Sequence, residues 1–110
     1  MMKANEFRLG NLVKCPEGFG QVTQIQDREV LVVDEIGYTM EVIKPIPLTE
    51  EWLLKFGFKK FKNYNDFSHK GIIIHGRKRG FVLRKSVPVI KHVHQLQNLY
   101  FALTGEELKQ

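Results

Sequence analysis

Cysteine is nearly missing from this chain: Cys15 stands alone in 110 residues. A single thiol has no partner for an intramolecular disulfide, which argues against a cross-linked secreted scaffold and for a reducing, cytoplasmic compartment. Long apolar runs are missing as well, and none approaches the roughly 20 residues that a membrane-spanning helix needs. The first eight residues, Met1-Met-Lys-Ala-Asn-Glu-Phe-Arg8, hold no apolar stretch behind their positive charge, so a signal peptide is not expected. Repeats and low-complexity tracts are lacking. Acidic side chains become scarce in the second half. Residues 1–57 carry six Lys and Arg against nine Asp and Glu, a balance of −3; residues 58–110 carry eleven against three, a balance of +8.

What is present is ordinary for a folded protein. With 43% hydrophobic and 11% aromatic residues, most of the chain is expected to be ordered, and 110 residues suit one domain or two very small units sharing a core. The N-terminal part reads as short antiparallel strands. One begins at Leu9–Val13, and Pro16-Glu-Gly18 closes it. Phe19–Gln26 is next, where the three-residue spacing of Val22 and Ile25 predicts a bulge. Asp27-Arg28 reads as a tight turn. The β-branched run Glu29–Val33 follows, then a turn at Asp34-Glu-Ile-Gly37 and a return strand, Tyr38–Ile43. The rhythm resembles that of SH3-like barrels, a likeness of strand spacing that carries no functional residues.

Lys44-Pro-Ile-Pro-Leu48 is an extended connector, because each proline excludes helix for the residue before it. Thr49 then caps a helix whose first turn holds Glu50 and Glu51 and whose buried side is Trp52, Leu53 and Phe56. Gly57 ends it, and Phe58 folds back on Leu53. Phe58–Lys62 reads as a short strand, Asn63–Asp66 as a turn, Phe67–His75 as a strand, Gly76-Arg-Lys-Arg-Gly80 as a hairpin loop and Phe81–Lys85 as its return. Val89-Ile90 adds a rung. In Val93–Gly105, the residues Val93, Leu96, Tyr100 and Leu103 mark one face of a helix that must lie against a sheet, while Gln95, Gln97 and Asn98 face elsewhere. Thr104-Gly-Glu-Glu107 has capping-box spacing, placing Leu108 in a final helical turn.

The expected fold class is α+β: an N-terminal antiparallel SH3-like β unit over 1–47, then a helix, a sheet containing a β-hairpin and an amphipathic C-terminal helix over 48–110. The connector is too short to let the parts move freely, so they are expected to pack together, and the whole is small enough to be a single domain.

The sharpest candidate for function is the basic stretch from 59 to 91. Lys59, Lys60, Arg77, Lys78, Arg79, Arg84 and Lys85 supply mobile cations of the kind that track phosphates, and Tyr64 and Phe81 are aromatics of the kind that stack on bases. The alternative is a charged turn that keeps a hairpin soluble and its edge unpaired. His92-x-His94, with His69 and His75, raises metal ligation. Two such histidines share a face on a strand but diverge on a helix, and no zinc-type Cys/His array accompanies them, so no metal is expected. Cys15, Ser68 and Ser86 lack a base or an elbow pattern, Glu50-Glu51 and Glu106-Glu107 read as helix-start charges, and Gly18-Phe-Gly20 is too short to cradle phosphate. Trp52 and Phe56 read as core. No catalytic residue and no cofactor site is assigned.

Two blocks, Lys44-Pro-Ile-Pro-Leu-Thr-Glu-Glu-Trp-Leu-Leu-Lys-Phe-Gly-Phe58 and Val93-His-Gln-Leu-Gln-Asn-Leu-Tyr-Phe-Ala-Leu-Thr-Gly-Glu-Glu-Leu108, resemble a family of small uncharacterised proteins from genomes, prophages and mobile elements of anaerobic gut bacteria. The resemblance implies a bacterial or phage cytoplasmic origin and supplies no activity; it does not extend to Gly76–Gly80. The expected function is a non-enzymatic binding or adaptor module of mobile-element origin whose partner is another protein. Nucleic-acid binding through residues 59–91 is the alternative, and a small enzyme with a scattered site is the third reading. A two-sided last helix, with Tyr100 and Phe101 on different sides, also allows a homo-oligomer. No membrane partner is expected.

Overall fold

A computed structural model describes residues 6–26, 30–61, 65–83 and 89–110. The fold is α+β, with two antiparallel four-stranded sheets and two helices. The first sheet comprises β1 (Leu12–Cys15), β2 (Gly18–Ile25), β3 (Val30–Val33) and β4 (Ile36–Thr39), in sequential order. The second comprises β5 (Lys59–Lys60), β6 (Asp66–His69), β7 (Ile72–Arg77) and β8 (Gly80–Val82), again in order. Helix α1 (Glu50–Lys55) precedes the second sheet and α2 (Val93–Thr104) follows it.

Local chemistry accounts for most element ends. The register of β2 against β3 shifts between Val22 and Gln24, the bulge that the apolar spacing predicts. Asp34 and Glu35 make the β3–β4 turn, both with positive φ (48° and 76°), so the turn lies earlier than Gly37, which is itself in β4. The return strand ends at Thr39 instead of reaching Ile43; Met40 and Ile43 are buried in the turns beyond it. In α1, Thr49 Oγ1 accepts from Trp52 N–H at 3.4 Å. At its other end Gly57 (φ +94°) donates to Leu54 O and Phe58 N–H donates to Leu53 O, both at 3.0 Å, closing the helix with a paired left-handed cap.

Phe67–His75 is two strands, not one. Lys70 (φ 48°) and Gly71 (φ 85°) form a two-residue turn that the β-branched run Ile72-Ile-Ile74 conceals in the sequence. The basic loop is correspondingly tighter than five residues: Gly76 and Arg77 belong to β7, Gly80 opens β8, and only Lys78 and Arg79 make the turn. Ile90 forms a bridge with Phe81, the expected extra rung.

Each sheet has its own apolar core. Phe7, Val13, Cys15, Val22, Leu31, Val33, Met40 and Ile43 fill the first. The second gathers Ile46, Trp52, Leu53, Phe56, Phe67, Ile74, Val93, Leu96 and Tyr100 from the connector, both helices and the sheet. The connector is stitched in place: Lys14 and Lys44 exchange backbone hydrogen bonds, Leu48 N–H donates to Lys91 O and Val93 N–H to Ile46 O.

The buried residues of α2 are Val93, His94, Leu96, Gln97 and Tyr100, a face rotated from the expected one. Leu103 is 50% exposed, whereas Gln97, expected to face elsewhere, is 2% exposed. The reason is a polar junction with the first sheet. Gln97 Oε1 accepts from Leu12 N–H at 2.8 Å and its Nε2 donates to Gly10 O at 3.3 Å. Asn11, fully buried, donates to Asn98 Oδ1 at 2.8 Å and accepts from Arg8 N–H at 2.7 Å. Arg8 also pairs with Glu107 and lies 4.2 Å over the Phe101 ring. Leu108 is buried, but in an extended tail: Gly105 (φ +74°) ends the helix and Thr104 Oγ1 accepts from Glu106 N–H at 3.0 Å.

Candidate functional site

Side chains alternate across the second sheet, so cross-strand partners share a face. Lys60, Phe67 and Ile74 form one row on the core-facing side; Gly76 and Phe81 form the next. Gly76 has no side chain to fill its place, and a cleft of about 550 Å³ opens there, with Phe67 and Phe81 beneath and Glu50, Asn65, Arg77 and Lys78 around it. A Cβ on Gly76 would stand 3.0 Å from Asn65 O, the same oxygen that accepts the Gly76 N–H at 2.6 Å, so glycine allows this close approach. Phe67 and Phe81 meet edge to face at 6.1 Å. Phe67 is buried, while Phe81 is half-buried and is the ring with surface to offer.

The electrostatics are mixed and predominantly positive. Lys60 Nζ pairs with Glu50 Oε1 at 2.9 Å and lies 5.9 Å from the Phe67 ring centre. Arg77 Nη1 donates to Gly76 O at 2.7 Å, holding the guanidinium against the strand end. Lys78 is exposed in the turn. Of the seven basic residues singled out from the sequence, Arg77 and Lys78 thus line the cleft, and Lys60 stands behind it, paired with the lining Glu50. Lys59 alternates to the opposite face, opposite Ser68. Arg79 is exposed in the turn beside Lys78 and does not line the cleft. Arg84 and Lys85, like Tyr64, lie outside the described residues.

Other titratable groups sit elsewhere. Asp66 and His75 face each other across β6 and β7, with His75 Nδ1 2.8 Å from Asp66 Oδ1. His75 borders a second cleft, of about 480 Å³, between the exposed Ile73 and Leu103. His92 and His94 do not diverge. His92 is still extended as the residue before α2 (φ −129°, ψ 154°), so its ring stacks on His94, centres 5.8 Å apart and planes 12° apart. Phe7 covers His94 at 4.5 Å. Neither Nδ1 has a hydrogen-bond partner among the described residues. Burial and then the neighbouring His92 lower the His94 pKa from 6.5 to about 4, and burial and then Lys91 lower that of His92. Cys15 is buried, its thiol donating to Gly18 O at 3.1 Å. Among the described residues no three His, Cys, Asp or Glu side chains stand close enough to hold a metal ion, and no helix is long and apolar enough to cross a membrane.

Glu50, Asn65 and Gly76 escape sequence reasoning as parts of the site. Glu50 reads as a helix-start charge, and only the Lys60 ion pair ties it to the basic region. Gly76 reads as a loop glycine because the hairpin loop is expected to span Gly76–Gly80, whereas the strand pairing continues through Gly76 and Arg77. No family model matches the chain, and no match is found among curated proteins or solved structures.

Proposed function

We propose that this chain is a non-enzymatic binding module whose contact surface is the Gly76 cleft, and that its ligand is a single-stranded nucleic acid. The observation that carries this reading is the convergence of Arg77 and Lys78 on one cleft that also offers the Phe81 ring, with Lys60 tied to its Glu50 wall by an ion pair. Cations at the rim suit phosphates, and an aromatic surface within suits an unstacked base, the pairing that single-strand binders use. A duplex presents its bases stacked and paired, so it would gain the phosphate contacts alone. Glu50 offsets one of the cations, so the surface favours modest, salt-sensitive affinity. A prophage or mobile-element origin, suggested by the two resembling blocks, is compatible with such a role. A cytoplasmic setting suits both the ligand and the free thiol. The four-strand meander of the first sheet, joined back to β1 through Lys14 and Lys44, supports classing it with SH3-like barrels and giving it a scaffolding part.

The test is fluorescence anisotropy with labelled oligothymidylate and a labelled duplex at about 50 and about 200 mM salt. The single strand should bind more tightly, its affinity should fall steeply with salt, and Arg77→Ala with Lys78→Ala should remove most of the binding. Equal affinity after both substitutions, or no binding at the lower salt, refutes the reading.

A further inference from the structure

Phosphate chemistry does not explain one group in the Gly76 cleft. Glu50 places an acceptor-only carboxylate at a site otherwise suited to a polyanion. Its place in the first turn of α1 accounts for a negative charge there, but Glu51 serves the helix equally and does not line the cleft. Lys60 Nζ, 2.9 Å from Oε1, holds the Glu50 carboxylate in place and balances its charge. The cleft, about 550 Å³, falls within the range of small-ligand sites, large enough for one base with its sugar.

Resting on the single-strand reading above, we propose that the cleft admits one unstacked nucleotide and that Glu50 selects guanine. Phe81 lies against the base, and Arg77 and Lys78 meet the flanking phosphates. Glu50 receives the pairing edge. Guanine presents two adjacent donors on that edge, N1–H and the N2 amino group, which match the two oxygens of a carboxylate. Adenine and cytosine present one amino donor beside a ring nitrogen acceptor, which a carboxylate repels. Thymine and uracil present one N–H between two carbonyl oxygens. Asn65, with both donor and acceptor, also lines the cleft and tolerates any of them.

The experiment compares short oligothymidylates carrying one central guanosine, adenosine, cytidine or thymidine, titrated against the wild-type protein, Glu50→Gln and Glu51→Gln. One guanosine should tighten binding about tenfold over thymidine. Glu50→Gln should abolish that preference while leaving affinity for plain oligothymidylate equal or higher, since a negative charge is gone. Glu51→Gln should keep the preference, and unchanged melting of both variants checks their fold. Salt-sensitive but equal binding of all four strands overturns the guanine assignment and leaves the single-strand reading standing. A guanine preference that survives Glu50→Gln overturns it too, and failure to bind any strand overturns both.

Discussion

The two sheets share a plan and differ in what completes them. Both are four-strand meanders with neighbouring strands paired in order. The first is filled mainly from its own strands and turns: Val13, Val22, Leu31 and Val33 from the sheet, with Phe7, Met40 and Ile43 from flanking segments. The second contributes Phe67 and Ile74 and takes most of its core from α1, α2 and the connector. A sheet that closes over itself leaves little of its face for ligands. A sheet covered by helices can be left open where the cover ends, and the candidate cleft lies in the second sheet. The difference teaches that four strands alone do not determine where a protein can bind; the completeness of their cover does.

The strongest test of this contrast is Leu96→Ala, which should cost about 2–5 kcal/mol in a denaturant titration. Amide exchange should quicken in β6 and β7 more than in β2 and β3. Equal loss of protection in both sheets would show that the two cores behave as one. Gln97→Ala comes next, at about 1–3 kcal/mol, because it strands the Leu12 N–H. Its effect should reach both sheets, since the junction belongs to neither; a cost below about 0.5 kcal/mol would assign it no part in joining them.

A pH series separates the two regions further. The folded-state pKa of His94 lies below its ordinary value, at about 4 against 6.5. The unfolded chain therefore takes up the proton first, and stability conferred by the neutral ring is complete above about pH 6.5, falls as pH drops below it and levels near pH 4. The denaturation midpoint should follow that course in the wild type, and His94→Leu should flatten it; an unchanged slope would place the acid sensitivity elsewhere. The smallest effect is expected from Arg8→Ala. Its pair with Glu107 is about a third exposed, so the loss should stay below about 1 kcal/mol and shrink further in high salt.

Much of the architecture was legible because single residues dictate it. Thr49 and Gly57 bound α1 by backbone chemistry that depends little on the rest of the chain, and the Val22–Ile25 spacing revealed its bulge. Legibility failed where a turn lacked its usual residues or where polar groups were buried. The turn at Asp34 is legible but reads too long, since Asp34 and Glu35, two non-glycine residues at positive φ, complete it before Gly37. Lys70-Gly71 goes unread because it lies against a β-branched run that reads as continuous strand. Apolar periodicity could not identify Gln97 as buried, because its place depends on backbone groups of β1 some 85 residues away in sequence. The cleft was half visible: its cations were marked by composition, but their convergence and the presence of Glu50 required the strand register.

The Gln97 side chain is a primary amide, chemically a peptide group on a stalk. It engages Leu12 N–H and Gly10 O much as a backbone alongside them would, and Lys44 occupies Lys14 a step further on. The outer margin of β1 is thus occupied partly by main chain and partly by a counterfeit of it. A foreign strand arriving there finds its seats taken, so this margin cannot act as a template for ribbon-like growth, and a chain with leucine at position 97 would leave that flank open to such assembly.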